Sequence, residues 1–188
     1  MSNIYFSSDF HLQHNKDFIW KARGFKSVDE MNWTIISRMN ERVTADDELY
    51  ILGDICLGSC EVDKIKNYIE SINGKIHIIR GNHDTLNRIE IYKQCNNVVE
   101  ITEGQFFQYH KQSFYLSHYP CLTANYDDDK PLKAKTINLC GHAHCKDPFI
   151  DWSKGMIYHV EVDAHNCYPV SIDKILEQIR TRLNRVDN

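Results

Sequence analysis

Asp9-Phe10-His11, Gly53-Asp54, Gly81-Asn82-His83-Asp84, Ser117-His118 and Gly141-His142-Ala143-His144 are the segments of this chain whose residue types could do chemistry. Together they supply carboxylate, imidazole and carboxamide groups, the hard-to-borderline donors that suit a pair of divalent transition ions. Asp9, His11, Asp54 and His144 suffice for one ion. Asp54, Asn82, His118 and His142 suffice for a second, with the two Asp54 oxygens bridging ions roughly 3.5 Å apart. His83 is left over for proton transfer, and Asp84 is placed to hold its imidazole in one tautomer and raise its pKa. Two divalent ions, two carboxylates and a bridging hydroxide leave the centre positive by about one unit, which favours a phosphoester anion.

Each segment also has an ordinary reading. Asp9 and His11 are what a solvated strand end carries, and Asp54 after Gly53 is what a turn or helix cap carries. Gly81-Asn82-His83-Asp84 alone would pass for an Asx turn. His118, His142 and His144, all at strand ends and all in need of partners, make the ordinary readings hard to hold jointly. Of the other histidines, His77 and His159 fall in mid-strand and read as structural. His14 and His165 are placed to approach the site. Lys16, Trp20 and Arg23 read as solvated surface, with the site rim as the alternative.

The elements that must position these groups emerge from periodicity. Ile4–Ser7, Leu49–Leu52 and Ile76–Ile79 are short apolar runs that end beside Gly, Asp or Asn, as buried strands do when they feed functional loops. Asp9 and His11, at i and i+2 on an extended segment, would point the same way. Ser27 with Glu30 reads as a capping box opening a helix that carries Met31, Ile35 and Met39. Ile65, Tyr68, Ile69 and Ile72 mark a second helix, with Gly74 as its C′ residue. This βαβαβ opening predicts parallel strands. The second half is richer in strands, at Val98–Ile101, Phe106–Tyr109, Ser113–Ser117, Thr136–Leu139 and Ile157–Val162, with hairpin turns at Gly104 and Lys111-Gln112. Ser171 caps a last amphipathic helix through Ile172, Ile175, Leu176, Ile179 and Leu183. The expectation is one α/β domain over 1–188 with two β-sheets packed face to face and helices outside.

Composition narrows the functions. With 188 residues and 42% hydrophobic content the chain can bury a real core. A net charge of −4 and no basic run leave no electrostatic footprint for tight, non-specific nucleic-acid binding. The seven cysteines are odd in number and irregular in spacing, and no leader-like segment precedes Ile4. They read as reduced thiols of a cytoplasmic protein. Cys140 and Cys145 flank the Gly-His-Ala-His segment, but no second cysteine pair completes a structural zinc site. Asp127-Asp128-Asp129-Lys130 reads as a solvated loop, and no run is long enough to span a bilayer.

The ordered set from Asp9 to His144 resembles the calcineurin-like metallophosphoesterase superfamily. The resemblance implies a four-layer α/β/β/α sandwich with two mixed sheets, a dinuclear metal centre and phosphoester hydrolysis by a metal-bridging hydroxide. It implies His83 as the catalytic histidine, and Arg80 stands where the family often has an arginine. Asp9, His11, Asp54, Asn82, His118, His142 and His144 are the metal ligands on this reading. Manganese is the favoured ion, with Fe, Ni, Co or Zn as alternatives. A nucleotide-type diester is the expected substrate. A nuclease acting on nucleic acid or a phosphomonoesterase of the same fold is the alternative, and a non-catalytic scaffold is the rival from another class. Oligomeric state is not legible.

Overall fold

The computed structural model describes residues 2–57, 61–123 and 131–186. The Asp127–Lys130 segment and Cys60 lie outside the described residues. Nine strands, six α-helices and a short 3-10 helix (Leu132–Ala134) are found among them. β1 (Ile4–Ser7), β2 (Glu48–Ile51), β3 (Lys75–Ile79) and β4 (Val98–Thr102) run parallel, and β9 (Val170–Ser171) joins β1 antiparallel, in the order β4-β3-β2-β1-β9. The second sheet has the order β5-β6-β7-β8, made of β5 (Gln105–Tyr109), β6 (Gln112–Leu116), β7 (Thr136–Cys140) and β8 (Ile157–His159). Here β5 is antiparallel to β6, and β6, β7 and β8 are mutually parallel. The expected α/β architecture with two mixed sheets is therefore present.

Strand alternation sorts the side chains into two cores. Leu49, Ile51, Ile76 and Ile78 face outward from the first sheet and bury against α2 (Val28–Asn40), α3 (Val62–Glu70) and α4 (Leu86–Tyr92), through Met31, Ile35, Met39, Ile65, Tyr68, Ile69 and Tyr92. Phe6, Tyr50, Leu52 and Ile79 face the other way and meet Phe114, Leu116, Ile137 and Leu139 of the second sheet. Ile172, Ile175 and Ile179 of α6 (Ile172–Val186) close that inter-sheet core. Ser171 Oγ accepts from the Lys174 amide at the start of α6, as expected of its cap. Two short helices, α1 (Asp17–Trp20) and α5 (Trp152–Gly155), complete the set. No helix among the described residues is long and apolar enough to cross a membrane.

Four local expectations are corrected. Gly104 closes no hairpin, because β4 and β5 belong to different sheets and the chain crosses between them there. The β5–β6 hairpin turns one residue earlier than expected, at His110 and Lys111, both with positive φ (45° and 68°), the mark of a tight hairpin turn. Gly74 lies beyond the end of α3 at Glu70; its φ of +92° and a Cβ position that would meet Val43 Cγ1 at 2.7 Å serve the turn into β3 instead. The Ile157–Val162 strand ends at His159, after which Glu161 makes an isolated parallel bridge to Ser8. Through that bridge, residues 160–163 cross from the second sheet to the first.

Candidate metal centre

Every chemistry-bearing segment leaves the carboxyl end of a strand: Asp9 and His11 after β1, Asp54 after β2, Asn82 to Asp84 after β3, His118 after β6, and His142 and His144 after β7. Three of these strands are neighbours in one sheet and two in the other, so five loops meet at one end of the sandwich, where α/β proteins place their sites.

The loops are not extended. Asp9, His11, Asp54, His142 and His144 all have φ between 50° and 76°, the left-handed region that costs a non-glycine residue of order 1–3 kcal/mol. The expectation that Asp9 and His11 converge by strand alternation is corrected here: β1 ends at Ser7, and backbone reversal at residues 9 and 11 aims the two side chains at one point. Hydrogen bonds from Asp9 N to Gly53 O (3.0 Å) and from His11 N to Asp54 O (3.0 Å) hold this loop to its neighbour.

Each of two buried aspartates uses one oxygen to fix a loop and presents the other. Asp9 Oδ2 accepts from the His142 amide at 2.9 Å, while Oδ1 has no hydrogen-bond partner and lies 3.8 Å from both His11 Nε2 and His144 Nε2. Asp54 Oδ1 accepts from the His83 amide at 2.8 Å, while Oδ2 lies 3.6 Å from His11 Nε2 and 3.5 Å from His118 Nε2. One Asp54 oxygen thus faces both halves of the site, and the expected bridging by two carboxylate oxygens is corrected to sharing of Oδ2, because Oδ1 is taken by the His83 amide. In the second half Asn82 Oδ1 is 2.9 Å from His118 Nε2 and 3.0 Å from His142 Nδ1, and those two nitrogens are 3.2 Å apart. Donors bonded to one ion at about 2.0–2.2 Å would sit about 3.0–3.5 Å apart at tetrahedral or octahedral angles. The second half matches that spacing and the first is slightly wider. His11 is buried with both ring nitrogens unpartnered, which is costly, and an ion at Nε2, the nitrogen that faces Asp9 and Asp54, would satisfy one of them. The donor set fits two divalent ions.

At two of the imidazoles electrostatics favour the neutral form that a ligand needs. Burial lowers the pKa of His11 and His142. Burial would raise that of Asp9, but the imidazoles of His11 and His118 outweigh it and keep the carboxyl low. His144 goes the other way: burial opposes its charge, yet Asp163 and Asp9 raise its pKa.

His83 stands at the edge of the cage, its side chain 42% exposed and its Nε2 4.0 Å from Asp54 Oδ2. Asp84 does not hold it. The Asp84 carboxylate is wholly buried and accepts from the Asp54 amide (2.8 Å), the Gly81 amide (2.9 Å), the Ile55 amide (3.3 Å) and Tyr92 Oη (2.9 Å). The expected Asp84–His83 pairing is replaced by a knot that ties the Asp54 loop to the Gly81 loop. The physical reason is the tight turn after β3, in which the Asp84 amide bonds back to Gly81 O (3.2 Å) and the carboxylate folds over backbone donors.

Sequence reasoning missed a layer behind the cage. Arg23, read as surface, has a side chain only 5% exposed and bonds to Asp163. Glu161 accepts from the Ala143 amide (2.9 Å), from the Cys145 thiol (2.9 Å) and, at 3.1 Å, faces His159, whose other ring nitrogen meets Asp151 at 3.0 Å. Cys145, His159 and Glu161 are close enough to hold an ion, but these groups already satisfy one another. The available signal was the pair of carboxylates, Glu161 and Asp163, ending an apolar run. His77, between Glu48 and Glu100 and stacked on Tyr50, sits within the sheet as expected. His165 donates to the His159 carbonyl and does not reach the cage. His14 does reach its edge, 5.6 Å from the His11 ring, and burial followed by the nearby His11 and His83 lowers its pKa to about 4.

A two-sheet α/β sandwich gathers Asp, His and Asn side chains at its strand ends into a candidate metal site. The chain belongs to the calcineurin-like phosphoesterase superfamily, whose domain model matches residues 3–159. It is 31% identical over 183 residues to an uncharacterized protein of Methanocaldococcus jannaschii, covering 95% of this chain and 92% of that one. It is 34% identical over 86 residues to the Gene 66 protein of Mycobacterium phage L5, covering 45% of this chain and 41% of that protein. Among solved structures, a protein of unknown function from Aquifex aeolicus shares the fold with a TM-score of 0.73 at 19% identity, covering 95% of this chain and all of that one.

Proposed function

We propose that this chain is a metal-dependent phosphodiesterase acting on nucleotide-type substrates, with two divalent ions, manganese favoured, held by Asp9, His11, Asp54 and His144 and by Asp54, Asn82, His118 and His142. The observation that carries the reading is the pair of buried donors left unpartnered at one point, Asp9 Oδ1 and His11 Nε2, with Nε2 facing Asp54 Oδ2, which is shared between the two halves. When bound, such ions lower the pKa of a coordinated water and neutralise phosphoryl oxygens. The chain's own contribution is placement. His83, fixed through its amide to Asp54 and with its ring at the open edge, protonates the leaving oxygen. Cys95, Cys121, Cys140, Cys145 and Cys167, unbridged among the described residues, suit a cytoplasmic protein.

Two features favour a diester over a monoester. The guanidinium groups beside the site loops are committed: Arg23 to Asp163, Arg80 to Asp84 O and Glu103, and Arg88 to the His83 carbonyl. Arg23 in particular is neutralised by a buried carboxylate and is not spare to meet the extra charge of a terminal phosphate. Two exposed aromatic rings also flank the cage. Phe18 (69% exposed) packs edge-on to His14 on one side, and Tyr119 (49% exposed) packs on His142 on the other. Such rings are platforms for bases.

Purified protein with Mn²⁺ is expected to hydrolyse bis(p-nitrophenyl) phosphate, to lose activity in EDTA, and to prefer it to p-nitrophenyl phosphate. His83→Ala is expected to lower kcat about 10²–10⁴-fold with metal retained. Full activity in EDTA would refute the metal-dependent reading. Cyclic dinucleotides, 2′,3′-cyclic nucleotides, dinucleoside polyphosphates and single-stranded RNA then rank the substrates, and a preference for RNA would move the assignment to a nuclease.

A further inference from the structure

Resting on the dinuclear reading, we infer that Asp163 and Arg23 are positioning residues for one of the two ions, the one held by Asp9, His11, Asp54 and His144. The segment that crosses between the sheets after β8 brings Asp163 behind the histidine loop. Its Oδ2 lies 3.0 Å from His144 Nδ1, on the far side of the ring from Nε2, which faces Asp9 Oδ1. A carboxylate only accepts, so Nδ1 carries the proton and Nε2 is left as a lone-pair donor aimed into the cage. Arg23 Nη2 is also 3.4 Å from Nδ1, but its two hydrogens are directed to Asp9 O (2.8 Å) and Asp163 Oδ2 (2.7 Å).

Arg23 in turn uses every donor it has. Nε and Nη2 grip Asp163 in a two-pronged pair at 2.9 and 2.7 Å, Nη1 donates to Phe10 O at 2.9 Å and faces Met31 Sδ at 3.5 Å, and Nη2 donates to Asp9 O. One side chain thereby clamps the left-handed Asp9–His11 loop and, through Asp163, the His144 ring. A planar fork is required for this, which lysine lacks. The arrangement serves one half of the site only. His118, in the other half, is backed by a neutral acceptor, the Leu52 carbonyl at 2.8 Å, and His142 turns Nδ1 toward Asn82. Of the four imidazoles assigned to the ions, His144 alone has a carboxylate behind it among the described residues. Such outer partners are worth about 10–100-fold in metal affinity.

The test is Mn²⁺ binding to the full chain by calorimetry, metal analysis after gel filtration and electron paramagnetic resonance, for wild type, Asp163→Asn, Arg23→Lys and Asp47→Asn. The last breaks a buried hydrogen-bond set at the opposite end of β2 and controls for general loosening. The expected wild-type result is two ions per chain with a spin-coupled signal, kept in Asp47→Asn. Asp163→Asn is expected to retain one ion with an isolated-ion pattern and to bind the other about 10–100-fold more weakly, with Arg23→Lys between the two. A measurement on the wild type does not depend on the variants folding: in the Zn²⁺-loaded protein, ¹⁵N chemical shifts should show His144 protonated at Nδ1 and metal-bound at Nε2. Two ions bound with unchanged affinity in Asp163→Asn, or a metal on Nδ1 of His144, would overturn the inference while leaving the dinuclear centre intact. A wild type that binds no Mn²⁺ would instead overturn the dinuclear reading and this inference with it.

Discussion

Replacing Asp84 by Asn separates two accounts of this residue. If it oriented His83, Asp84→Asn would lower kcat and leave stability almost unchanged. The structure makes it the acceptor for three backbone amides and Tyr92 Oη. An amide of the same shape keeps one acceptor oxygen, enough for the Asp54 and Gly81 amides, and puts an NH₂ where Oδ1 was. Tyr92 can rotate its hydroxyl to accept, but the Ile55 amide cannot. One orphaned buried N–H costs about 1–3 kcal/mol. The two surviving bonds lose their ionic character, worth roughly half of each, or about 1–2 kcal/mol together. Against this, burial and the charge of Asp54 raise the Asp84 pKa, so a neutral side chain relieves part of a desolvation cost. The net expectation is about 2–3 kcal/mol of lost stability. At a urea m-value of about 2 kcal/mol/M the unfolding midpoint falls by about 1–1.5 M. Tyr92→Phe, which removes one donor and keeps the ring, should cost about 0.5–1.5 kcal/mol. An Asp84→Asn protein with the wild-type midpoint and a depressed kcat would refute the knot and restore the orienting role.

Gly141→Ala should abolish tight metal binding in a protein that still folds, since a Cβ there would overlap Asp9 Oδ2 and Ser8 Oγ; metal analysis after dialysis reads the loss. Asp47 gives a pH dependence of stability. Burial would raise its pKa, but bonds from the Thr44 and Asn3 amides and side chains prevail and lower it. Its contribution is therefore complete above the ordinary carboxylate range near about 4 and is lost as pH falls through the depressed value. Asp47→Asn should cost about 1.5–3 kcal/mol near neutral pH, and the gap to wild type should close in acid, as urea midpoints at several pH values would show. Phe18→Ala and Tyr119→Ala should each raise KM for a nucleotide diester about 5- to 100-fold at constant kcat if the rings stack on bases; unchanged KM in both would remove that role.

The parallel core strands and the three longest helices were legible because apolar periods of two and about 3.6 residues dominate them. The site loops were legible as a set because five segments rich in Asp, His and Asn each follow a strand. What was not legible depends on contacts far apart in sequence or on backbone handedness. Nothing local in Asp9-Phe10-His11 announces positive φ at two non-glycine residues, so the convergence was right and its cause was wrong. Arg23 looked solvated because its partner, Asp163, is 140 residues away and arrives only through the bridge from Glu161 to Ser8. Asp84 looked like a partner for its neighbour because sequence proximity hides a turn that folds its carboxylate onto the backbone. Gly104 failed as a hairpin because two adjacent strand signals do not reveal that they belong to different sheets.

The most direct test of the central claim is anomalous diffraction at the manganese edge from crystals of the protein grown with Mn²⁺. Two peaks are predicted about 3.5 Å apart, one within bonding distance of Asp9, His11, Asp54 and His144 and the other of Asp54, Asn82, His118 and His142. No anomalous density at those side chains, or ions bound elsewhere with His11 still unpartnered, would contradict it.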